Sequence, residues 1–220
     1  MDEEYSERDR AIWQGIFATM PPAWFEAPPS DAMEQCRSYF QANPCERLLD
    51  LGCGFGRWTL FLAGQGAAEV IGVDCAENGI RAASAWAGRT SANAQFLVAG
   101  ATRLPFRRRT FDGMLAALLL DNLSRSDLAR TLREINYSTC PGARGLFVFS
   151  PCLTEAELAS AADDNPTKEC MHVVYRDDEL PALLPGWAVT RMKASVERLR
   201  LVEAVYRGAD GLDSGRPTTG

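Results

Sequence analysis

Leu48-Leu49-Asp50-Leu51-Gly52-Cys53-Gly54-Phe55-Gly56 decides the reading of this 220-residue chain. The first four residues form a short apolar run of the kind that makes a strand buried on both faces, and the run breaks at once into glycines at alternate positions. Glycine lacks a β-carbon and accepts positive φ, so a strand-to-helix turn built this way brings backbone close to a ligand. The dinucleotide-binding spacing needs its third glycine at position 57, and Arg57 stands there. Asp50 sits just ahead of the turn, at the carboxyl end of the strand, where open α/β sheets bind their ligands.

Outward from this loop, short apolar runs alternate with helical stretches. Residues 58–63 read as a helix, 69–73 as a strand, 77–87 as a helix, 95–98 and 111–119 as strands, 126–138 as an amphipathic helix and 145–149 as a fifth strand. Such alternation predicts a parallel sheet covered on both faces. Residues 187–194 and 198–206 are two further strands with too little chain between them for a helical crossover, so they form a hairpin. The expected fold is α/β: a doubly wound, mostly parallel seven-stranded sheet with an antiparallel C-terminal edge hairpin and helices on both faces. Residues 1–207 are read as a single domain, with 1–44 a helical preface interrupted by Pro21-Pro22 and Pro28-Pro29, and 151–185 a lid-like insertion. Residues 208–220 have little apolar content and read as a flexible tail.

A formal net charge of −6 disfavours a nucleic-acid partner, and the one dense cationic run, Arg107-Arg108-Arg109, falls in a predicted turn where it reads as a solvated loop. The seven cysteines are scattered, spaced neither as a disulfide framework nor as paired metal ligands, which predicts reduced thiols and no metal site. The acidic start Met1-Asp2-Glu3-Glu4 lacks a signal pattern and no apolar stretch reaches membrane-spanning length, so a cytoplasmic protein with no membrane partner is expected.

Asp74 ends the second strand 22 residues after Gly52, a position from which an acid accepts hydrogen bonds from ribose hydroxyls. With Asp50 and the glycines it describes a site for a nucleoside carrying an amino-acid-like arm. The run from Leu48 to Gly56 resembles the first motif of class I S-adenosylmethionine-dependent methyltransferases, and Val70-Ile71-Gly72-Val73-Asp74 resembles the second. Leu104-Pro105-Phe106 with Phe111-Asp112, and then Cys140-Pro141-Gly142-Ala143, are similar to the family's later landmarks, in order and at matching spacing over residues 45–150.

The resemblance implies S-adenosylmethionine as cofactor, S-adenosylhomocysteine as product, and in-line methyl displacement to a small-molecule acceptor. Backbone groups at Gly52, Cys53 and Gly54 would embrace the methionine portion, with Asp50 beside its amino group. Asp74 would hold the ribose and Cys75 touch the adenine; Ala101 and Thr102 match the adenine-edge loop, and Ala116, Ala117 and Leu118 the strand end beneath the reacting sulfur. The sequence departs from the family at Gly100, where many relatives carry the acid that reads the adenine amino group. Asp121 and Asn122 replace a pair that often contains histidine and are candidates to face the acceptor, as are Trp13 and Trp24 in the aromatic preface. His172, the only histidine, and Tyr175 are candidate catalytic groups in the insertion. A nicotinamide-dependent oxidoreductase and a non-catalytic binding module are the competing readings.

Overall fold

β1 (Arg47–Leu51) is buried from its second residue to its last and pairs in parallel with β2 (Glu69–Asp74) on one side and β4 (Phe111–Ala117) on the other. The computed structural model describes residues 2–19, 23–64, 69–90, 92–151 and 173–208. β3 (Ala94–Val98) extends the parallel sheet beyond β2, and β5 (Thr139–Phe149) extends it beyond β4. β7 (Arg200–Tyr206) then runs antiparallel to β5, and β6 (Trp187–Ala194) closes the edge against β7. The strand order is β3-β2-β1-β4-β5-β7-β6, a mostly parallel seven-stranded sheet with the antiparallel edge hairpin that the alternation and the final strand pair predict.

The two faces carry separate cores because side chains alternate along each strand. Leu49, Val73, Met114 and Phe147 point to the face covered by α6 (Arg125–Ser138), whose Leu128, Leu132 and Ile135 lie in the same cluster. Leu48, Val70, Leu115 and Leu146 point to the other, where α3 (Asp31–Ala42) supplies Cys36 and Phe40 and α4 (Arg57–Ala63) supplies Leu62. α5 (Glu77–Ala87) packs beside β3, and α1 (Asp2–Ala18) rests on α5. α2 (Ala23–Glu26) and α7 (Leu180–Leu183) are single turns. No helix among the described residues is long and apolar enough to cross a membrane.

Several boundaries depart from the sequence reading, each for a local reason. β4 stops at Ala117 rather than 119, because Leu118 adopts φ 56 and a 3-10 turn follows over Leu120–Asn122. β5 starts at Thr139 rather than 145: Thr139 pairs with Phe111 and Arg144 with Gly113, so the Cys140-Pro141-Gly142-Ala143 turn is a bulge inside the strand, with Gly142 at φ 87. β7 begins at Arg200 rather than 198, since Arg198 holds φ 65 in the hairpin reversal and donates its N–H to the Ser195 carbonyl at 2.9 Å. α4 and α6 each begin one residue early, at Arg57 and Arg125, and β1, β2 and β3 each gain one residue.

The preface contains α1, α2 and α3, the last capped by Ser30, whose Oγ accepts from the Met33 N–H at 3.3 Å. Its first turn is tied to the β6–β7 hairpin: Asp31 donates its N–H to Glu197 Oε1 at 2.8 Å and accepts the Val196 N–H on Oδ2 at 2.9 Å. Of the insertion, residues 152–172 lie outside the described residues, as does the tail from 209. Its return limb is pinned by the buried Arg200, whose guanidinium donates to the Ser150 carbonyl at 2.8 Å and to the Tyr175 carbonyl.

Candidate functional site

The glycine turn is held by the strand ends beneath it. Gly52 and Gly54 take φ 75 and 57, conformations that favour glycine. The N–H groups of Gly52 and Cys53 donate to the Val73 carbonyl at 2.8 and 3.0 Å, and the Gly54 N–H donates to Asp74 Oδ2 at 2.9 Å. These donors therefore organise the loop against β2.

Asp74 is fixed from both sides, its other oxygen accepting the Ala76 N–H at 2.8 Å. Burial pushes the carboxyl pKa up, and the N–H bonds from Ala76 and Gly54 pull it back. Asp50 is only 1% exposed and lies behind the turn, where Thr59 Oγ1 donates to its Oδ2 at 2.6 Å. Burial raises its pKa to about 7 against the opposing Thr59 bond.

One cavity of about 350 Å³ opens at the carboxyl ends of these strands. It gathers Gly52, Asp74, Cys75, Ala101, Thr102, Leu118, Asn122 and Trp13 from the sequence-derived candidates. Asp50, Cys53, Gly54, Ala116, Ala117, Asp121 and Tyr175 do not border it. Ala116 is buried in the core, and Asp121 is turned to the end of β5, where its Oδ2 accepts the Ser150 N–H at 2.7 Å. Tyr175 packs its ring edge-on to Phe149, centroids 6.4 Å apart, and burial pushes its hydroxyl pKa up. Trp24 belongs to α2, but its side chain is outside the described residues; His172 is outside them altogether.

The lining also holds Arg10, Phe17, Leu119, Leu123 and Asp127, none of which the sequence singled out as a site residue. Trp13 and Phe17 stand four residues apart on one face of α1, and their rings stack at 5.6 Å. A β-carbon on Gly54 would meet the Phe17 ring at 3.0 Å, so α1 lies directly on the glycine turn. A two-bond clamp sets that position: Asn78 donates its N–H to Gln14 Oε1 and its Nδ2–H to the Gln14 carbonyl, both at 3.0 Å. The Trp13 and Phe17 spacing was the available signal for a helix roofing the cavity; Arg10 carried none.

Comparison with known proteins agrees with this geometry. Residues 48–142 match the family model described as a methyltransferase domain. The chain is 30% identical over 154 residues to 24-methylenesterol C-methyltransferase 2 of Oryza sativa subsp. japonica, covering 68% of this chain and 40% of that protein. It is 33% identical over 124 residues to O-methyltransferase cnsE of Penicillium expansum, covering 54% of this chain and 44% of that one. It thus spans less than half the length of these curated relatives. The Burkholderia thailandensis 1,6-didemethyltoxoflavin-N1-methyltransferase, solved with 1,6-didemethyltoxoflavin and S-adenosylhomocysteine bound, superposes with a TM-score of 0.73 at 19% identity, over 96% of this chain and 91% of that one. At that identity the likeness speaks for the fold alone, and what the family model adds is a methyltransferase domain matched over residues 48–142 of this chain.

Proposed function

We propose that the chain transfers a methyl group from S-adenosylmethionine to a small-molecule acceptor. The observation that carries this reading is the joining of the bare glycine turn to a backbone-locked Asp74 at the wall of a single cavity. The residues present fit the cofactor. Asp74 would accept from ribose hydroxyls, Gly52 would admit the methionine arm against backbone, and the Asp50 carboxyl would stand behind the turn, on the side of the arm's amino group. Cys75, Ala101 and Thr102 would flank the adenine; with no acid at Gly100, Thr102 or a backbone carbonyl reads its amino group.

When bound, S-adenosylmethionine supplies an activated methyl group and a neutral thioether leaving group. The protein's share is alignment and exclusion of water, which in well-oriented pairs is worth about 7–11 kcal/mol of barrier. Leu118 walls the cavity in a strained backbone conformation that two bonds enforce: its N–H donates to the Val148 carbonyl at 2.8 Å and its carbonyl accepts from Asn122 Nδ2 at 2.7 Å. Trp13 and Phe17 cover the mouth from α1. His172 and Tyr175 are kept as weaker candidates for handling a proton, and Trp24 for contacting the acceptor. The acidic net charge supports a small molecule over nucleic acid, and five described free cysteines support a reducing, cytoplasmic setting.

Arg57 argues against the nicotinamide alternative twice. It breaks the glycine spacing, and its guanidinium is used as a brace, donating to the Ala27 and Pro28 carbonyls at 3.2 and 2.6 Å. Calorimetric titration with S-adenosylmethionine, S-adenosylhomocysteine and the nicotinamide dinucleotides tests the proposal. Micromolar binding of the first two alone is expected, and binding of neither overturns it. Asp74→Ala is expected to weaken S-adenosylhomocysteine by about 1–3 kcal/mol through lost charge-assisted hydrogen bonds. An unchanged affinity in a folded variant removes Asp74 from the ribose role.

A further inference from the structure

Beyond the strand ends the cavity is bounded by the segment that follows β4, where its wall changes character. Leu118, Leu119 and Leu123 make it apolar, and between them stand two polar side chains, Asn122 and Asp127. Both are more than nine-tenths buried, at 8% and 5% exposure. Each also carries a sealed acceptor oxygen, Oδ1, with no hydrogen-bond partner. A buried acceptor without a donor costs about 1–3 kcal/mol, and more when charged, and on a cavity wall a ligand donor can remove that cost.

The local structure does not account for Asp127. It occupies the third helical position of α6 behind the N-cap Ser124, whose Oγ accepts the Asp127 N–H at 3.2 Å. In a capping box the side chain at this position would return a bond to the N-cap N–H, yet Asp127 Oδ1 accepts none. Arg130 Nη1 lies 3.8 Å from that oxygen, beyond hydrogen-bond length, and the Arg130 side chain is 42% exposed, so it screens the charge without satisfying it. Asn122 is half explained: its Nδ2 holds the Leu118 carbonyl, which fixes the amide and leaves its oxygen unpaired. Two acceptors and no paired donor thus sit in the stretch of apolar wall that follows β4.

We infer that Asn122 and Asp127 form the acceptor subsite, and that it selects an apolar-bodied small molecule presenting a hydroxyl or N–H donor to them, neutral or cationic at that end and carrying no carboxylate or phosphate there. This rests on the methyltransferase reading. A carboxylate in the ligand would face Asp127 without a donor between them, whereas a hydroxyl or amine supplies the missing hydrogen. Asn122 then has two tasks, since the amide that receives the ligand also locks the Leu118 backbone.

Protein saturated with S-adenosylhomocysteine, saturation itself followed by calorimetry, is titrated with 4-ethylphenol, 4-ethylanisole and 4-ethylbenzoate by ligand-observed NMR. The phenol is expected to bind at least about tenfold more tightly than the ether or the benzoate, the discrimination typical of a site built around a hydrogen-bonded hydroxyl. Asp127→Asn should weaken the phenol about tenfold, the worth of one charge-assisted bond, and leave S-adenosylhomocysteine affinity unchanged. Thr131→Val removes another unpartnered oxygen, in α6 but away from the cavity, and should change neither. Equal binding of all three probes, a preference for the benzoate, no binding of any probe to the loaded protein, or an unaltered phenol affinity in Asp127→Asn overturns the subsite. The three-probe comparison in the unmodified protein stands even if the variant fails to fold. Failure of the protein to bind S-adenosylhomocysteine is a separate result, which removes the methyltransferase reading and the subsite with it.

Discussion

Asp50 makes the stability of this fold depend on pH in an unusual direction. Its carboxyl is buried with Thr59 as donor, and its pKa stands at about 7 in the folded chain against an ordinary 3.8. Because the folded-state value is the higher one, the folded chain binds more protons between the two. The favourable contribution is therefore complete below about pH 3.8, declines as pH rises and is gone above about pH 7. A displacement of about three pKa units corresponds to on the order of 4 kcal/mol, approached at a slope of about 1.4 kcal/mol per pH unit. Asp50→Asn keeps an oxygen for Thr59 and cannot ionise. Urea denaturation of both proteins between pH 4 and 8 isolates the effect, since every other titrating group is shared. The difference in unfolding free energy should shift toward the variant by several kcal/mol between pH 4 and 7, then level off. Parallel curves across that range would refute a buried, neutralised Asp50.

Two further substitutions probe the frame of the site. Gly56→Ala places a β-carbon 2.6 Å from Phe96 Cε1 and 2.7 Å from Ala83 Cβ at a φ of 79, adding about 1–2 kcal/mol of left-handed strain to about 1–3 kcal/mol of overpacking. The denaturation midpoint should fall accordingly, and a drop below 1 kcal/mol would show that the turn is looser than its contacts imply. Ser124→Ala removes the cap of α6 and should cost about 1 kcal/mol, lowering Tm by about 2–4 °C in a chain of this size, read by circular dichroism; no change would mean that another acceptor serves the Asp127 N–H.

The parts of the molecule that were legible in sequence are those where local preference and tertiary demand agree. β1 and β2 are runs rich in Leu, Val and Ile that cannot be left in water, and the glycines between β1 and α4 mark a tight turn. Cys140-Pro141-Gly142 reads as a turn and does turn, but its flanks pair with β4 on both sides, a long-range fact that no short window contains. Leu118 is the opposite case: leucine disfavours positive φ, and only the Val148 carbonyl and the Asn122 amide, brought in by the fold, hold it there. Asp127 was hidden by agreement of a different sort. A serine followed three residues later by an acid before an apolar run is what a helix start looks like, so nothing marked the acid as surplus to that role.

The unmet hydrogen bonds of the buried side chains cluster in one stretch of the fold. Elsewhere the fold settles its buried polar groups: Asp50 has Thr59, Asp74 has two backbone N–H groups, and Arg200 has two carbonyls. The buried orphan side-chain atoms among the described residues, on Asp121, Asn122, Asp127 and Thr131, all fall between β4 and the middle of α6. A fold that needed this segment only for packing would gain by making it apolar, since replacing unpaired buried acceptors with hydrocarbon of similar shape is neutral or stabilising. Two of the four, Asn122 and Asp127, stand on the wall of the space that the glycine turn, the β4 end and α1 surround, and keeping them polar there costs stability. On the acceptor side of that space, specificity rests on what the protein leaves unpaired.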